Sequence, residues 1–153
     1  PQVMQGYWNK PEETEMAIVN GRLHTGDIGY MDDQGYTFLI DRIKDLILVA
    51  GFNVFPRVVE EAIYEHPGVA EVTVVGVPDE LKGQRVKAFV KLKEGAALTD
   101  QELLEFLGPK IGKHEMPKEI EFRAELPKTL VGKLSKKELV AEEVAKQNSL
   151  TDA

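Results

Sequence analysis

Two valine-rich runs, Val69 to Val77 and Val86 to Leu92, constrain this chain more than any other feature. Only a loop containing Pro78, Asp79, Lys82 and Gly83 separates them, and they read as two strands. Helical patterns flank the pair. Ahead of it, Pro56 stands near a helix's first position, where its missing N–H costs nothing; Val58, Val59, Ala62 and Ile63 share one helical face, and Pro67-Gly68 stops the helix. After it, Thr99 and Glu102 have capping-box spacing before Leu103, Leu104, Phe106 and Leu107. Ser135 and Glu138 repeat that spacing before Leu139, Val140 and Val144, which predicts a last helix that frays towards Ala153. With Leu46 to Ala50 and Glu119 to Phe122 as further strands, the order from Leu46 is β-α-β-β-α-β-α. The expectation is an α+β fold over 46–147, a short sheet flanked by helices, with a frayed tail at 148–153.

The preceding segment is patterned differently. Gly6, Asn9, Pro11 and Gly21 surround a short helix expected over Glu12 to Val19. Leu23 to Tyr30 and Tyr36 to Ile40 are β-prone and joined by Met31-Asp32-Asp33-Gln34-Gly35, so a β-hairpin is expected at about 23–40. The charged stretch Asp41 to Asp45 then interrupts the apolar pattern. A boundary fits there, with 1–41 on one side and 42–45 as a hinge.

A formal net charge of -7 argues against a nucleic-acid face, so an anionic ligand would have to be held by a few placed cations. The absence of cysteine removes disulfides, thiolate metal sites and thiol nucleophiles, and makes a reducing cytosolic location the expectation, with peripheral membrane attachment left open. The apolar runs are too short for a transmembrane segment.

Three clusters could carry chemistry. Thr25-Gly26-Asp27 puts a carboxylate beside a glycine, and its bland reading is a turn. Asp41-Arg42-Ile43-Lys44-Asp45 leads through apolar residues to Gly51-Phe52-Asn53-Val54-Phe55-Pro56; blandly, this is a solvated connector entering a buried strand. Leu126-Pro127-Lys128-Thr129-Leu130-Val131-Gly132-Lys133 presents a lysine after a glycine, able to reach a phosphate or carboxylate, although most such lysines are only solvated.

In order and spacing, the phrases LHTGDIGYMDDQGY, DRIKDLILVAGFNVFP, HPGVAEVTVVGVPD and LPKTLVGK resemble the adenylate-forming superfamily of acyl-CoA synthetases, and most of all long-chain fatty-acyl-CoA ligases. The resemblance runs from Gly6-Tyr7-Trp8 to about Val144. It implies that the chain is the C-terminal part of an AMP-forming ligase: the tail of a large adenylation domain, a hinge, then a small mobile domain. Asp27 would hold the ribose hydroxyls of ATP or the acyl-adenylate, and Arg42 would assist at the ribose and phosphate end. Lys44 would be the hinge, and Lys133 would approach the α-phosphate and acyl carboxylate during adenylation. Gly51, Phe52 and Asn53 would belong to a loop lining the pantetheine path of CoA.

The chain departs from the family pattern at Val58, where an acid is common, at Lys113-His114, where Tyr-Lys is common, and at Lys136 and Lys137, where arginines are usual. The Gly/Ser/Thr/Lys-rich phosphate loop, the adenine-binding segment and the acyl pocket of the family lie upstream of the matching region, so the partner implied is an N-terminal adenylation domain, and the chain alone is not expected to activate a fatty acid. Mg2+ would arrive with ATP and be held mainly by that domain. His24, His66 and His114 lack a ligand motif, and no metal residue is assigned. The apolar residues Tyr7, Trp8, Ile28 and Tyr30 are expected to be exposed without their neighbours and to favour a non-native dimer. Two other readings stay open: a synthetase for medium-chain or aryl acids, and a non-catalytic nucleotide-binding or interaction module of the same fold.

Overall fold

The computed structural model describes residues 2–151. The chain divides into two compact units, Pro1–Lys44 and Asp45–Ala153.

In the first unit, helix α1 (Pro11–Ala17) leads into a small hairpin, β1 (Ile18–Val19) with β2 (Arg22–Leu23), and then into β3 (Asp27–Met31) and β4 (Thr37–Arg42). The expected helix over Glu12 to Val19 therefore ends early, and Leu23 belongs to a separate hairpin. The reason is local: Asn20 and Gly21 both take positive φ, 53° and 72°, the geometry of a two-residue turn whose Asn-Gly sequence is itself the signal. Between β3 and β4 the ladder slips after Ile28, which pairs with Asp41 while Gly29 pairs with Leu39. A side chain at Gly29 would place its Cβ 2.4 Å from the Phe38 carbonyl oxygen, so the bulge needs glycine there. Asp32 ties the connecting turn by accepting from the N–H groups of Gln34 and Tyr36. Tyr7, Trp8 and Tyr30 are exposed as expected, whereas Ile28 is half-buried.

A 3-10 turn, Ile43–Asp45, spans the point where the chain passes from the first unit into the second. The second unit's five-stranded sheet has the order β6-β5-β8-β7, with β9 pairing β8 in parallel. The strands are β5 (Ile47–Val49), β6 (Phe52–Val54), β7 (Val69–Asp79), β8 (Gly83–Leu92) and β9 (Glu119–Phe122). The helices are α2 (Pro56–Tyr64), α3 (Asp100–Leu107) and α4 (Lys136–Thr151). The expected order lacked β6. The expected loop between Val77 and Val86 shrinks to a tight turn because both strands extend into it. Helix α4 continues through 148–151, where a frayed tail was expected; 152–153 lie outside the described residues. The capping box of Thr99 and Glu102 is present in both directions.

One sheet face carries Val72, Val74, Val86, Ala88 and Val90 against Val59, Ala62 and Ile63 of α2 and Leu103 and Leu107 of α3. On the other face, Val75, Val77 and Phe89 pack with Leu126 and Leu139. That second core is small, and a charged cluster adjoins it. Lys87, 1% exposed, lies on β8 opposite Glu119 of β9 and forms ion pairs with Glu119, Glu121 (2.9 Å) and Glu143 of α4 (2.9 Å). Arg123 bonds Glu121 and Glu142, both at 2.7 Å, and Lys146 reaches Glu143 at 2.7 Å. Phe89 lies beneath two of the cations, its ring centre 5.0 Å from Lys87 Nζ and 4.6 Å from Arg123 Cζ. No helix among the described residues is long and apolar enough to cross a membrane.

Desolvation alone would raise the Glu121 carboxyl, but bonds from Lys87 and Arg123 outweigh it and hold its pKa down to about 2. Desolvation likewise opposes the lowering of Glu143, which Lys146 and Lys87 enforce. Burial would depress Lys87, yet its bonds to Glu119, Glu121 and Glu143 raise it above the ordinary lysine value. Both carboxylates therefore contribute stability that is complete above their ordinary value of 4.5 and is lost as pH falls below it, for Glu121 as pH falls towards 2. The Lys87 contribution is complete below 10.5 and is lost above it.

Two outcomes follow. Lys87→Met leaves three carboxylates facing one another and should cost about 3 kcal/mol in urea unfolding. Between pH 4.5 and 2 the wild-type melting temperature should fall more steeply than that of Glu121→Gln, measured by circular dichroism.

Candidate functional site

Asp27 and Arg42 face each other as cross-strand partners at the end of the β3–β4 hairpin, with Arg42 Nε 3.4 Å from Asp27 Oδ1. The backbone holds this end closed: Ile43 N–H donates to the Gly26 carbonyl at 2.8 Å, and Asp27 N–H donates to Thr25 Oγ1 at 3.2 Å. The Asp27 side chain is 28% exposed, and among the described residues its Oδ2 has no partner. It borders an open depression that Arg22, His24, Thr25 and Gly26 also line. A half-exposed carboxylate with a free oxygen and a neighbouring guanidinium can accept from vicinal hydroxyls while the cation faces an adjoining anion.

In the second unit, Gly51 lies in the two-residue turn between β5 and β6, where Val49 pairs with Phe52. Ala50 and Gly51 both have positive φ, 50° and 85°. The loop expected at Gly51, Phe52 and Asn53 is thus mostly strand: Phe52 and Asn53 belong to β6, and Gly51 remains in the turn. The turn is held from behind, since Ala50 N–H donates to the Lys82 carbonyl at 2.9 Å and Leu48 N–H to Gln84 Oε1 at 2.8 Å. Phe52 is exposed and stacks on His114, ring centres 4.9 Å apart, so the 112–116 segment meets β6 through this pair. Among the described residues no group of three or more His, Asp or Glu side chains is placed to hold a metal ion.

Lys133 ends a hairpin whose stem is made by backbone bonds: Thr129 N–H to the Lys133 carbonyl (2.7 Å) and Ser135 N–H to the Pro127 carbonyl (2.8 Å). Leu130 and Val131 at its tip are exposed, and Lys133 itself is exposed with no ion-pair partner among the described residues. The stem is tied to β7 by Lys128, whose Nζ lies 2.7 Å from Glu71, and the first residue of α4, Lys136, lies 3.0 Å from Glu60 of α2. The Lys133 hairpin is therefore anchored at edge strand β7, and the Gly51 turn projects from the β5–β6 pair at the opposite end of the strand order.

A protein-family model described as the AMP-binding enzyme C-terminal domain matches residues 58–133 and ends on Lys133. The chain carries the C-terminal domain of the AMP-binding, adenylate-forming enzymes. Among curated relatives, this AMP-binding C-terminal domain chain is 52% identical over 94% of its length to a long-chain-fatty-acid–CoA ligase of Bacillus subtilis, of which the match spans 26%. A 2-succinylbenzoate–CoA ligase of Bacillus cereus is 44% identical over 91% of the chain and 28% of that protein. Of the solved structures, ATP-bound MatB from Rhodopseudomonas palustris superposes with a TM-score of 0.85 at 36% identity, over 92% of this chain and 28% of that one. The chain thus spans about a quarter of the length of the curated relatives it matches.

Among the described residues, Asp27 and Arg42 are the members of the expected site that meet in an ion pair. Lys44 lies in the 3-10 turn where the two units divide. Missed by sequence reasoning were Glu60, Glu71 and Gln84, which contact Lys136, Lys128 and the Leu48 N–H beside the Lys133 hairpin and the Gly51 turn. Glu71 and Gln84 carried only the signal of polar residues within valine-rich strands, and Glu60 that of a polar residue in helix α2.

The turn geometry gives a direct test. Ala50→Asn supplies the side chain best suited to the first positive-φ position and should stabilise the chain by about 0.5 kcal/mol, whereas Gly51→Ala should destabilise it by about 1 kcal/mol, both read by denaturant midpoint.

Proposed function

We propose that this chain works as the C-terminal part of an ATP-dependent, AMP-forming long-chain fatty-acid–CoA ligase, acting together with an N-terminal adenylation domain. In the first half-reaction a carboxylate oxygen of the fatty acid bonds to the α-phosphorus of ATP while the bond to the bridging oxygen breaks, and pyrophosphate leaves with the electron pair. In the second, the CoA sulfur bonds to the acyl carbon, AMP leaves with the electrons of the acyl–oxygen bond, and the thiol proton passes to solvent.

Lys133 serves the first step. Its exposed, unpaired ammonium can follow the negative charge that shifts onto the phosphate oxygens as the bond breaks. Asp27 accepts from the ribose hydroxyls and Arg42 assists at the phosphate end. Gly51, Phe52 and Asn53 serve the second step as the wall of a pantetheine path, and Lys44 is the pivot. Mg2+ arrives with ATP and is held mainly by the adenylation domain.

The observation that carries this reading is the placement of Lys133 and the Gly51 turn at opposite edges of one sheet. Two elements so separated on one compact unit cannot both occupy the same reaction centre, so presenting them in turn requires the unit to rotate. The chain length of the acid rests on its 52% identity to a ligase named for long-chain fatty acids. A second reading, an aryl-acid synthetase, is favoured by its 44% identity to a ligase named for 2-succinylbenzoate.

In the full-length protein, Lys133→Ala should lower ATP–pyrophosphate exchange with palmitate by about 100-fold or more and leave thioester formation from supplied palmitoyl-adenylate intact. Exchange that is unchanged would refute the role of Lys133. Exchange driven by 2-succinylbenzoate and not by palmitate would replace the substrate class and keep the mechanism.

A further inference from the structure

The Lys133 hairpin combines a free tip with a restrained base. Besides its backbone bonds, Gly132 N–H donates to the Thr129 carbonyl at 2.8 Å and Lys133 N–H to Thr129 Oγ1 at 3.2 Å, so the tip is a closed turn. Buried Leu126 before it and Leu139 after it seat the two flanking segments against Val75, Val77 and Phe89. Backbone bonds within a hairpin set its shape but not the direction in which it leaves the domain.

Two ion pairs tie the flanks of the hairpin, one on each side of Lys133 in sequence. Lys128 Nζ lies 2.7 Å from Glu71 of β7, and Lys136 Nζ lies 3.0 Å from Glu60 of α2. Glu60 is itself fixed, because its Oε1 accepts from the Val74 N–H of β7 at 2.9 Å. Both acids thus attach the hairpin to the same α2–β7 edge. Glu71 is unusual for a purely stabilising side chain: its Oε2 is buried without a hydrogen-bond partner among the described residues, as is the Oγ1 of Thr73 two positions along the strand. Such atoms cost stability, so Glu71 gains through Lys128 what it loses by burial. The two acids also neutralise the lysines on either side and leave the Lys133 ammonium unpaired.

We infer that Glu71 and Glu60 are positioning residues for adenylation, acting through Lys128 and Lys136 to fix the direction in which the 127–135 hairpin presents Lys133. The inference rests on the reading of Lys133 as the adenylation lysine. A cation that must meet a transferring phosphate loses rate steeply when displaced by about 1 Å, and a hinge at the hairpin base multiplies small rotations into such displacements at its end. Thioester formation does not use Lys133 and should not depend on the clamp.

The test uses the full-length protein with Glu71→Gln, Glu60→Gln, Lys128→Ala, and the exchanged pair Glu71→Lys with Lys128→Glu, beside Lys133→Ala. Glu60→Gln keeps an acceptor for the Val74 N–H, so it removes the ion pair while sparing the strand edge. The kcat for ATP–pyrophosphate exchange should fall about tenfold in each single variant, with thioester formation from supplied palmitoyl-adenylate unchanged and exchange restored in the exchanged pair. In the 153-residue chain itself, hydrogen exchange at the Ser135 N–H should quicken in Lys128→Ala. Single variants that leave exchange intact, or that lower both half-reactions together as a misfolded domain would, overturn the clamp. If Lys133→Ala abolishes exchange while the clamp variants do not, the clamp alone fails. If Lys133→Ala is silent, the reading of Lys133 fails and the clamp with it.

Discussion

Val69–Asp79 and Gly83–Leu92 pair antiparallel along nearly their whole length, and the second unit depends on that ladder. The two strands alternate their side chains between two faces, so each pair of neighbouring residues feeds both cores. Val72, Val74, Val86, Ala88 and Val90 make the face that α2 and α3 cover. Val75, Val77 and Phe89 make the smaller face that Leu126 and Leu139 cover. A slip of one residue would send every one of these to the wrong side, and would move Lys87 from its three carboxylates into the valine layer.

The ladder leaves β7 at an edge, with unpaired N–H groups along its outer side. Helix α2 meets them: Tyr64 accepts from Val72 N–H at 3.2 Å and Glu60 from Val74 N–H at 2.9 Å. Capping an edge in this way hinders pairing with another chain. The same Glu60 goes on to Lys136, so protection of the strand edge and support of the Lys133 hairpin share one carboxylate. At the far end of the sheet, Lys82 of the β7–β8 connection and Gln84 of β8 support the Gly51 turn. One long ladder therefore braces both the Lys133 hairpin and the Gly51 turn.

Most of the second unit was legible from residue pattern. Helices α2 and α3 follow their apolar faces, their start signals and, for α3, a capping box that forms in full. Strand β6 was missed because Phe52-Asn53-Val54 is short and its motif resembles a functional loop; the positive φ of Ala50 is also unusual for a residue with a side chain. The Asn20-Gly21 hairpin had a clear local signal and was passed over in favour of a longer helix. The candidate site residues Asp27, Arg42, Lys44, Gly51 and Lys133 could be singled out because their motifs are contiguous. Glu60 and Glu71 could not, since nothing along the chain says that a glutamate on α2 and another on β7 will meet lysines more than fifty positions later.

By itself, the sequence determined most of the local elements and the order of the strands and helices over most of the chain. These depend on short-range rules: period, turn composition and cap spacing act over a few residues. Tertiary structure alone decided that Lys87 is buried among Glu119, Glu121 and Glu143, that the hairpin of Lys133 is clamped to β7 and α2, and that the Gly51 turn lies at the opposite edge of the sheet. Each is a juxtaposition of charges or edges contributed by distant segments. A charge in a sequence carries no mark of its partner until packing removes water from between them.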